Sequence, residues 1–171
     1  MTPQEIIDKW AAGGPAYALS ERAGAQPHFM DLCSMLGVST PGDAENYCFE
    51  PCVTKTGSGR GFADVWKRGH FAWEYKAPGK SLDAALKQLM MYALPLENPP
   101  LLVVSDRLRI EIHTHFTGHP SECLVIRLED LGRPDVQLKL RWLFTEPERF
   151  KPSKTNREIT EEAASTFAET S

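Results

Sequence analysis

Asp64, Glu74 and Lys76 are the residues whose types and spacing could do chemistry together, in the segment Gly61-Phe62-Ala63-Asp64-Val65-Trp66-Lys67-Arg68-Gly69-His70-Phe71-Ala72-Trp73-Glu74-Tyr75-Lys76. Side chains alternate across a β-strand, so Glu74 and Lys76 share one face of theirs and Tyr75 takes the other. If Asp64 joins that face, two carboxylates converge with an ammonium. Carboxylates held close together raise each other's pKa, and a hard divalent cation relieves the repulsion. Mg²⁺ binds one or two carboxylates and keeps its remaining positions for water and phosphate oxygens; Mn²⁺ would substitute. Asp64, Glu74 and the main-chain carbonyl of Tyr75 would hold the ion, and Lys76 would orient an attacking water. The chemistry indicated is phosphodiester hydrolysis by metal-activated water. The bland alternative is a solvated hairpin face, where charged and aromatic residues commonly alternate.

Whether Asp64 reaches Glu74 depends on the turn between their strands. A two-residue loop would put Asp64 on the wrong face. A three-residue loop Lys67-Arg68-Gly69, with glycine where a left-handed residue is needed, pairs Trp66 with His70 and Phe62 with Glu74. Asp64 then sits diagonally from Glu74.

The elements that must position this hairpin are those of a mixed α/β domain. The chain has 171 residues, 42% of them hydrophobic, which suits one core with tails. Thr2-Pro3-Gln4-Glu5 is a capping box that opens a helix over residues 3–12. Ser20 caps a second helix carrying Phe29, Leu32, Met35 and Leu36, ended by Gly37. Ser39-Thr40-Pro41 opens a short third. From residue 52 the period becomes two, with antiparallel strands expected at 52–56, 61–66 and 70–76, the first two joined by Gly57-Ser58-Gly59. Ser81 caps a helix from 82 to about 94, with Leu82, Ala85, Leu89 and Tyr92 in one stripe, stopped by Asn98-Pro99-Pro100. The apolar run 101–105 is a buried strand; 109–116 and 124–128 are further strands and 136–144 a helix. After Glu146 a polar segment leads into the start of another helix near Ile159, as where a chain runs on into another domain. The organisation expected is a helical segment at 1–47, a core at 48–146, and a linker with helix start at 147–171.

A net charge of −4 excludes a general coat for nucleic acid. Locally the balance reverses: residues 51–80 carry Lys55, Arg60, Lys67, Arg68, Lys76 and Lys80 against Asp64 and Glu74, enough to hold a phosphate backbone. Cys33, Cys48, Cys52 and Cys123, without a signal peptide or an apolar run long enough for a membrane span, read as free buried thiols in a reducing cytoplasm. A competing constellation is His113, His115, His119 and Cys123, whose spacings could close a zinc site. Trp66, Phe71 and Trp73 are better explained as core than as stacking platforms.

Asp64-x9-Glu74-x-Lys76, followed by Gln88-Leu89-Met90-Met91-Tyr92 on a helix and Leu101-Leu102-Val103-Val104-Ser105-Asp106 on a strand, resembles the PD-(D/E)XK nuclease superfamily. It is most similar to the amino-terminal nuclease region of single-chain type IIG/IIL restriction-modification enzymes. The likeness runs from about Phe29 to Phe116 and is densest at Arg60-Gly61-Phe62-Ala63-Asp64-Val65-Trp66, Glu74-Tyr75-Lys76 and Lys80-Ser81-Leu82-Asp83-Ala84-Ala85. Ala63 stands where the superfamily pattern has proline. The resemblance implies a restriction-endonuclease-like fold, a central mixed sheet flanked by helices, in a bacterial or archaeal cytoplasm. It implies that Asp64 and Glu74 hold Mg²⁺, that Lys76 assists the water, and that Gln88 and Tyr92 support the site or contact DNA. Glu50 matches the acidic residue that some members place before the first core strand, and Arg60 and Lys80 fall in the matched segments. The implied substrate is double-stranded DNA, with dimerisation a route to cutting both strands. Such enzymes also carry an S-adenosylmethionine-dependent methyltransferase and a target-recognition domain, for which this chain has no glycine-rich cofactor loop. Asn98-Pro99-Pro100-Leu101 lacks the aromatic end of an amino-methyltransferase motif. The alternative function is a catalytically silent docking module of a DNA-modification or phage-defence complex.

Overall fold

The computed structural model describes residues 1–50 and 62–170. Six strands form one sheet in the order β1 (Tyr47–Phe49), β2 (Val65–Lys67), β3 (Phe71–Tyr75), β4 (Leu101–Ser105), β5 (Arg109–Thr114), β6 (Cys123–Arg127). Every neighbouring pair is antiparallel except β3 and β4, which run parallel. A parallel pair needs a crossover, and α3 (Leu82–Met91) supplies it. With α1 (Pro3–Trp10), α2 (Glu21–Leu36), α4 (Pro134–Thr145) and α5 (Asn156–Thr170), the described residues form a mixed α/β fold.

The alternation of β3 divides the core. Phe71, Trp73 and Tyr75 face α1, α2 and α4, where Ile6, Trp10, Phe29, Leu32, Leu140 and Leu143 cover them. Ala72 points the other way, with Trp66, Leu102 and Val104, under Leu82, Ala85 and Leu89 of α3. Glu74 falls on this second face. Both faces of β4 are covered, which is why all five of its residues are buried and apolar up to Ser105.

Local chemistry sets the helix ends as expected. Thr2 and Glu5 form the capping box of α1, the Ser20 hydroxyl accepts from the Ala23 N–H, and Gly37 closes α2 in the left-handed conformation at φ 67°. The Ser81 hydroxyl accepts from Ala84 N–H at the start of α3. That helix ends at Met91, earlier than expected, because Tyr92, Ala93, Leu96, Glu97 and Asn98 spend their N–H groups in successive turns. The short helix expected at Ser39-Thr40-Pro41 does not form. There the Asp43 carboxylate accepts from the Glu45 and Asn46 N–H groups, and the Tyr47 N–H returns to the Asp43 carbonyl, so the chain turns directly into β1. The expected strand 52–56 and the Gly57-Ser58-Gly59 turn lie outside the described residues. Among the described residues, no helix is long and apolar enough to cross a membrane.

The β2–β3 hairpin is shifted by one residue from expectation. Lys67 pairs with Phe71 and Val65 with Trp73, so the loop is Arg68-Gly69-His70 with Gly69 at φ 70° in its middle. Its length is still three, and parity is preserved. The shift moves the register partner of Val65 to Trp73 and leaves Asp64, just before β2, beside the end of β3 that carries Glu74.

Candidate active site

Asp64 immediately precedes β2 and donates its N–H to the Trp73 carbonyl (2.9 Å), although Val65 is the register partner of Trp73. Two residues thus oppose one, the arrangement by which a bulge re-aims a side chain. The Asp64 carboxylate turns to the end of β3, where Oδ2 accepts from the Tyr75 N–H at 2.7 Å. Glu50, at φ 44° just after β1, donates its N–H to the Asp64 carbonyl (2.8 Å) and fastens this residue from the other side.

Asp64 and Glu74 meet as a pair of carboxyls. Glu74 is buried, and that burial raises its pKa; the Asp64 charge and a hydrogen bond between the two carboxyls raise it further, with Lys76 pulling the other way. Burial also raises Asp64, opposed by the Tyr75 N–H and by Glu74. Both shifts run toward the protonated form, most strongly at Glu74.

Lys76 leaves the sheet just after β3, its N–H on the Ser105 carbonyl (2.8 Å). Its Nζ lies 3.9 Å from Glu21 Oε1, and Glu21 Oε2 accepts from the Ala77 N–H at 3.3 Å. Glu21, in the first turn of α2, lines a cleft of about 220 Å³ together with Glu50 and Asp64. The sequence reading missed it. An acid directly after a Ser cap is already explained by the helix dipole, and no spacing ties residue 21 to residue 64.

Beneath β3 lies a second group that sequence reasoning did not find. The Tyr75 hydroxyl is 2.9 Å from His28 Nδ1, and burial, then the charges of Arg107 and Lys9, push that imidazole down to about 3, so it is neutral. Arg107 is 2% exposed, sits at φ 74°, donates to the Leu19 carbonyl (2.8 Å) and lies over the Trp10 ring (5.5 Å). Gly24 on α2 leaves the space for its guanidinium.

The family model of the MmeI N-terminal domain matches residues 1–170. The chain belongs to that family. No curated protein and no solved structure matches the chain. MmeI is a type IIG restriction-modification enzyme, so the match agrees with the placement expected from the sequence, in the amino-terminal part of such an enzyme.

The other expected residues of this MmeI N-terminal domain are placed around the hairpin and α3 or away from them. Tyr92, at the end of α3, packs its ring against Phe62 (centroids 4.7 Å apart), two residues before Asp64. Gln88 is half-buried one turn earlier on the helix that packs on β3 and β4. Lys80 is exposed in the turn before α3, and Arg60 lies outside the described residues. The basic stretch around the hairpin is partly engaged: Lys67 lies over the Tyr47 ring (4.3 Å), and Arg68 pairs with Glu97 at 2.7 Å. Trp66, Phe71 and Trp73 are core, as read from the sequence. Of the cysteines, Cys33 is buried, Cys48 half-buried and Cys123 exposed, which corrects the expectation of buried thiols for Cys123; Cys52 lies outside the described residues. The four-ligand zinc constellation does not assemble. His119 turns its Nδ1 to the Thr117 carbonyl (3.1 Å), and His115 lies beyond the end of β5.

Proposed function

We propose that this MmeI N-terminal domain is a Mg²⁺-dependent endonuclease domain that hydrolyses DNA phosphodiester bonds, on a restriction-endonuclease-like core. The observation that carries the reading is the carboxyl pair of half-buried Asp64 and buried Glu74 at the end of a central strand, with the Lys76 ammonium at the next outward position. The donor set fits a hard divalent ion. All its protein atoms are oxygens, two of them on carboxyls that destabilise each other until a cation neutralises them. Asp64, Glu74 and the Tyr75 carbonyl would hold Mg²⁺ or Mn²⁺, with Glu21 and Glu50 on the rim of the adjoining cleft. When bound, the ion supplies Lewis-acid stabilisation of the charge that builds on a phosphodiester under attack by water.

The chain's own residues do the rest. The Tyr75 N–H fixes the Asp64 carboxylate, so the ligand is oriented before the ion arrives. Lys76, restrained by Glu21, places a positive charge beside the phosphate and a donor for the nucleophilic water. Double-stranded DNA would be read elsewhere, by the methyltransferase and target-recognition parts of a full-length enzyme, with S-adenosylmethionine serving the former.

Supercoiled plasmid, incubated with Mg²⁺ or Mn²⁺ and either wild type, Asp64→Ala or Lys76→Ala, tests the reading. Nicking or linearisation by wild type, lost in both variants while their melting temperatures hold, is the expected result. If wild type is inert, Mn²⁺ calorimetry decides. Binding that Asp64→Ala abolishes keeps the domain a nuclease awaiting its DNA-reading parts. Absence of binding overturns the proposal in favour of a silent docking module.

A further inference from the structure

The face of the sheet that carries Asp64 and Glu74 continues past α3 onto β5 and β6. Glu74 is in register with Val104, and Val104 with Glu111, so Glu111 lies two strands away on the same face, about 10 Å across. His113 follows two residues later on that face, and Cys123 is its cross-strand partner on β6, the terminal strand. One donor atom from each of Glu111, His113 and Cys123 lies within 4.8 Å of the others. His113 Nε2 is 3.2 Å from Glu111 Oε1 and 3.8 Å from Cys123 Sγ.

These separations bracket those of donors around a tetrahedral zinc ion. Zn–N and Zn–O bonds of about 2.0–2.1 Å and a Zn–S bond of about 2.3 Å put ligand atoms roughly 3.3–3.6 Å apart. One imidazole nitrogen faces both a carboxylate and a thiol, and it can complete only one of those hydrogen bonds at a time. A cation among the three engages them all. The second carboxylate oxygen of Glu111 is held by Arg109 Nη2 at 3.1 Å, an outer partner of the kind that orients metal ligands. The mixture of thiolate, imidazole and carboxylate distinguishes this cluster from the all-oxygen centre and selects a borderline ion over Mg²⁺.

We propose that Glu111, His113 and Cys123 form a second metal site, for Zn²⁺, with water as the fourth ligand on the exposed side. Bound there, the ion ties the terminal strand β6 to β5 by its side chains, in addition to the backbone ladder. This site is independent of the nuclease reading, because it shares no ligand with the Asp64–Glu74 pair.

The test is Co²⁺ titration of the tag-free chain, since cobalt reports thiolate ligation by a charge-transfer band and tetrahedral geometry by its visible absorption. The expected result is one equivalent of thiolate-ligated Co²⁺ that Zn²⁺ displaces. Binding should weaken at least about tenfold in His113→Ala, lose its thiolate band in Cys123→Ser, and persist in Asp64→Ala. At a hundredfold excess over Kd, Zn²⁺ should raise the wild-type melting temperature by about 5–10 °C, and Cys123→Ser should abolish that rise. Both substitutions lie on the partly exposed edge of the sheet, and the melting curves without metal report that they fold. A wild type without the band, a band that survives in Cys123→Ser, or cobalt binding lost only in Asp64→Ala would each overturn the proposal.

Discussion

Two donor clusters share one face of the sheet and differ in what holds them. Asp64 and Glu74 sit at the end of β3 beside α3, and behind that strand the sheet is braced by α1, α2, His28 and Arg107. Glu111, His113 and Cys123 sit on the last two strands, where the ladder and the Arg109–Glu111 pair do the holding. Burial follows the same division. Glu74 is 7% exposed, whereas Cys123 is in contact with solvent. A buried pair of like charges with no soft donor is a costly arrangement that a hard cation redeems. An exposed set of mixed donors costs little when empty and responds to whichever borderline ion is available. Position in the sheet thus separates the proposed catalytic pair from the proposed attachment site.

The sharpest separation should appear in cleavage. Lys76→Ala should lower plasmid cleavage by about 10²–10³-fold, the usual loss when a preorganised charge is removed from a reacting centre, whereas His113→Ala should change it less than about threefold. Initial nicking rates at saturating Mg²⁺ measure both. A large loss in His113→Ala would merge the two clusters into one functional unit.

Bracing can be broken from behind. Replacing a helical glycine by alanine ordinarily stabilises by up to about 1 kcal/mol. At Gly24 the added methyl would overlap the Arg107 guanidinium, which is itself enclosed by α2, Trp10 and the Leu19 carbonyl. Gly24→Ala should therefore destabilise, by about 1–3 kcal/mol, measured by urea unfolding, and should reduce cleavage. The cobalt spectrum of the Cys123 cluster should not change. A stabilised variant would show that Arg107 moves aside without cost and braces nothing.

Protonation separates the clusters next. Glu74 carries a raised pKa when folded, against about 4.3 unfolded. The folded chain then binds this proton more tightly than the unfolded one, so its stabilising effect is complete at low pH and is lost as pH rises through the folded pKa. One proton limits the slope to about 1.4 kcal/mol per pH unit. Metal-free melting temperature should fall between pH 6 and pH 8, Mg²⁺ should restore it, and Glu74→Gln should flatten the fall. A flat wild-type profile would mean that the pair does not share a proton.

These effects also mark what the sequence could show. Period-two alternation, the Ser20 and Ser81 caps and the apolar run before Asp106 made the helices and the central strands legible, because each is written in neighbouring residues. Parity of the hairpin was legible for the same reason, although the loop began one residue later than Gly69 suggested. Glu21, Arg107 and Glu111 were not. The partners of Glu21 and Arg107 lie many residues away, and each of the three has a sufficient local explanation as a cap acid, a turn cation or a strand charge paired with its neighbours. The zinc constellation shows both sides. Cys123 and His113 were visible as residue types, but the register that sets them opposite each other, with Glu111 on the same face, comes from strand pairing.

Tyr92 is where a locally legible residue has two roles to choose between, support or DNA contact. Its ring meets Phe62 edge-on, and Phe62 leads into Asp64. Tyr92→Leu keeps apolar volume but removes the aromatic pair, worth about 0.5–1.5 kcal/mol. If the ring only supports the strand, stability should fall by that amount while the KM for DNA stays within about twofold and kcat falls slightly as Asp64 loosens. A rise in KM at unchanged stability would instead move Tyr92 to the DNA side. The Cys123 cluster, on the far strands, should register neither.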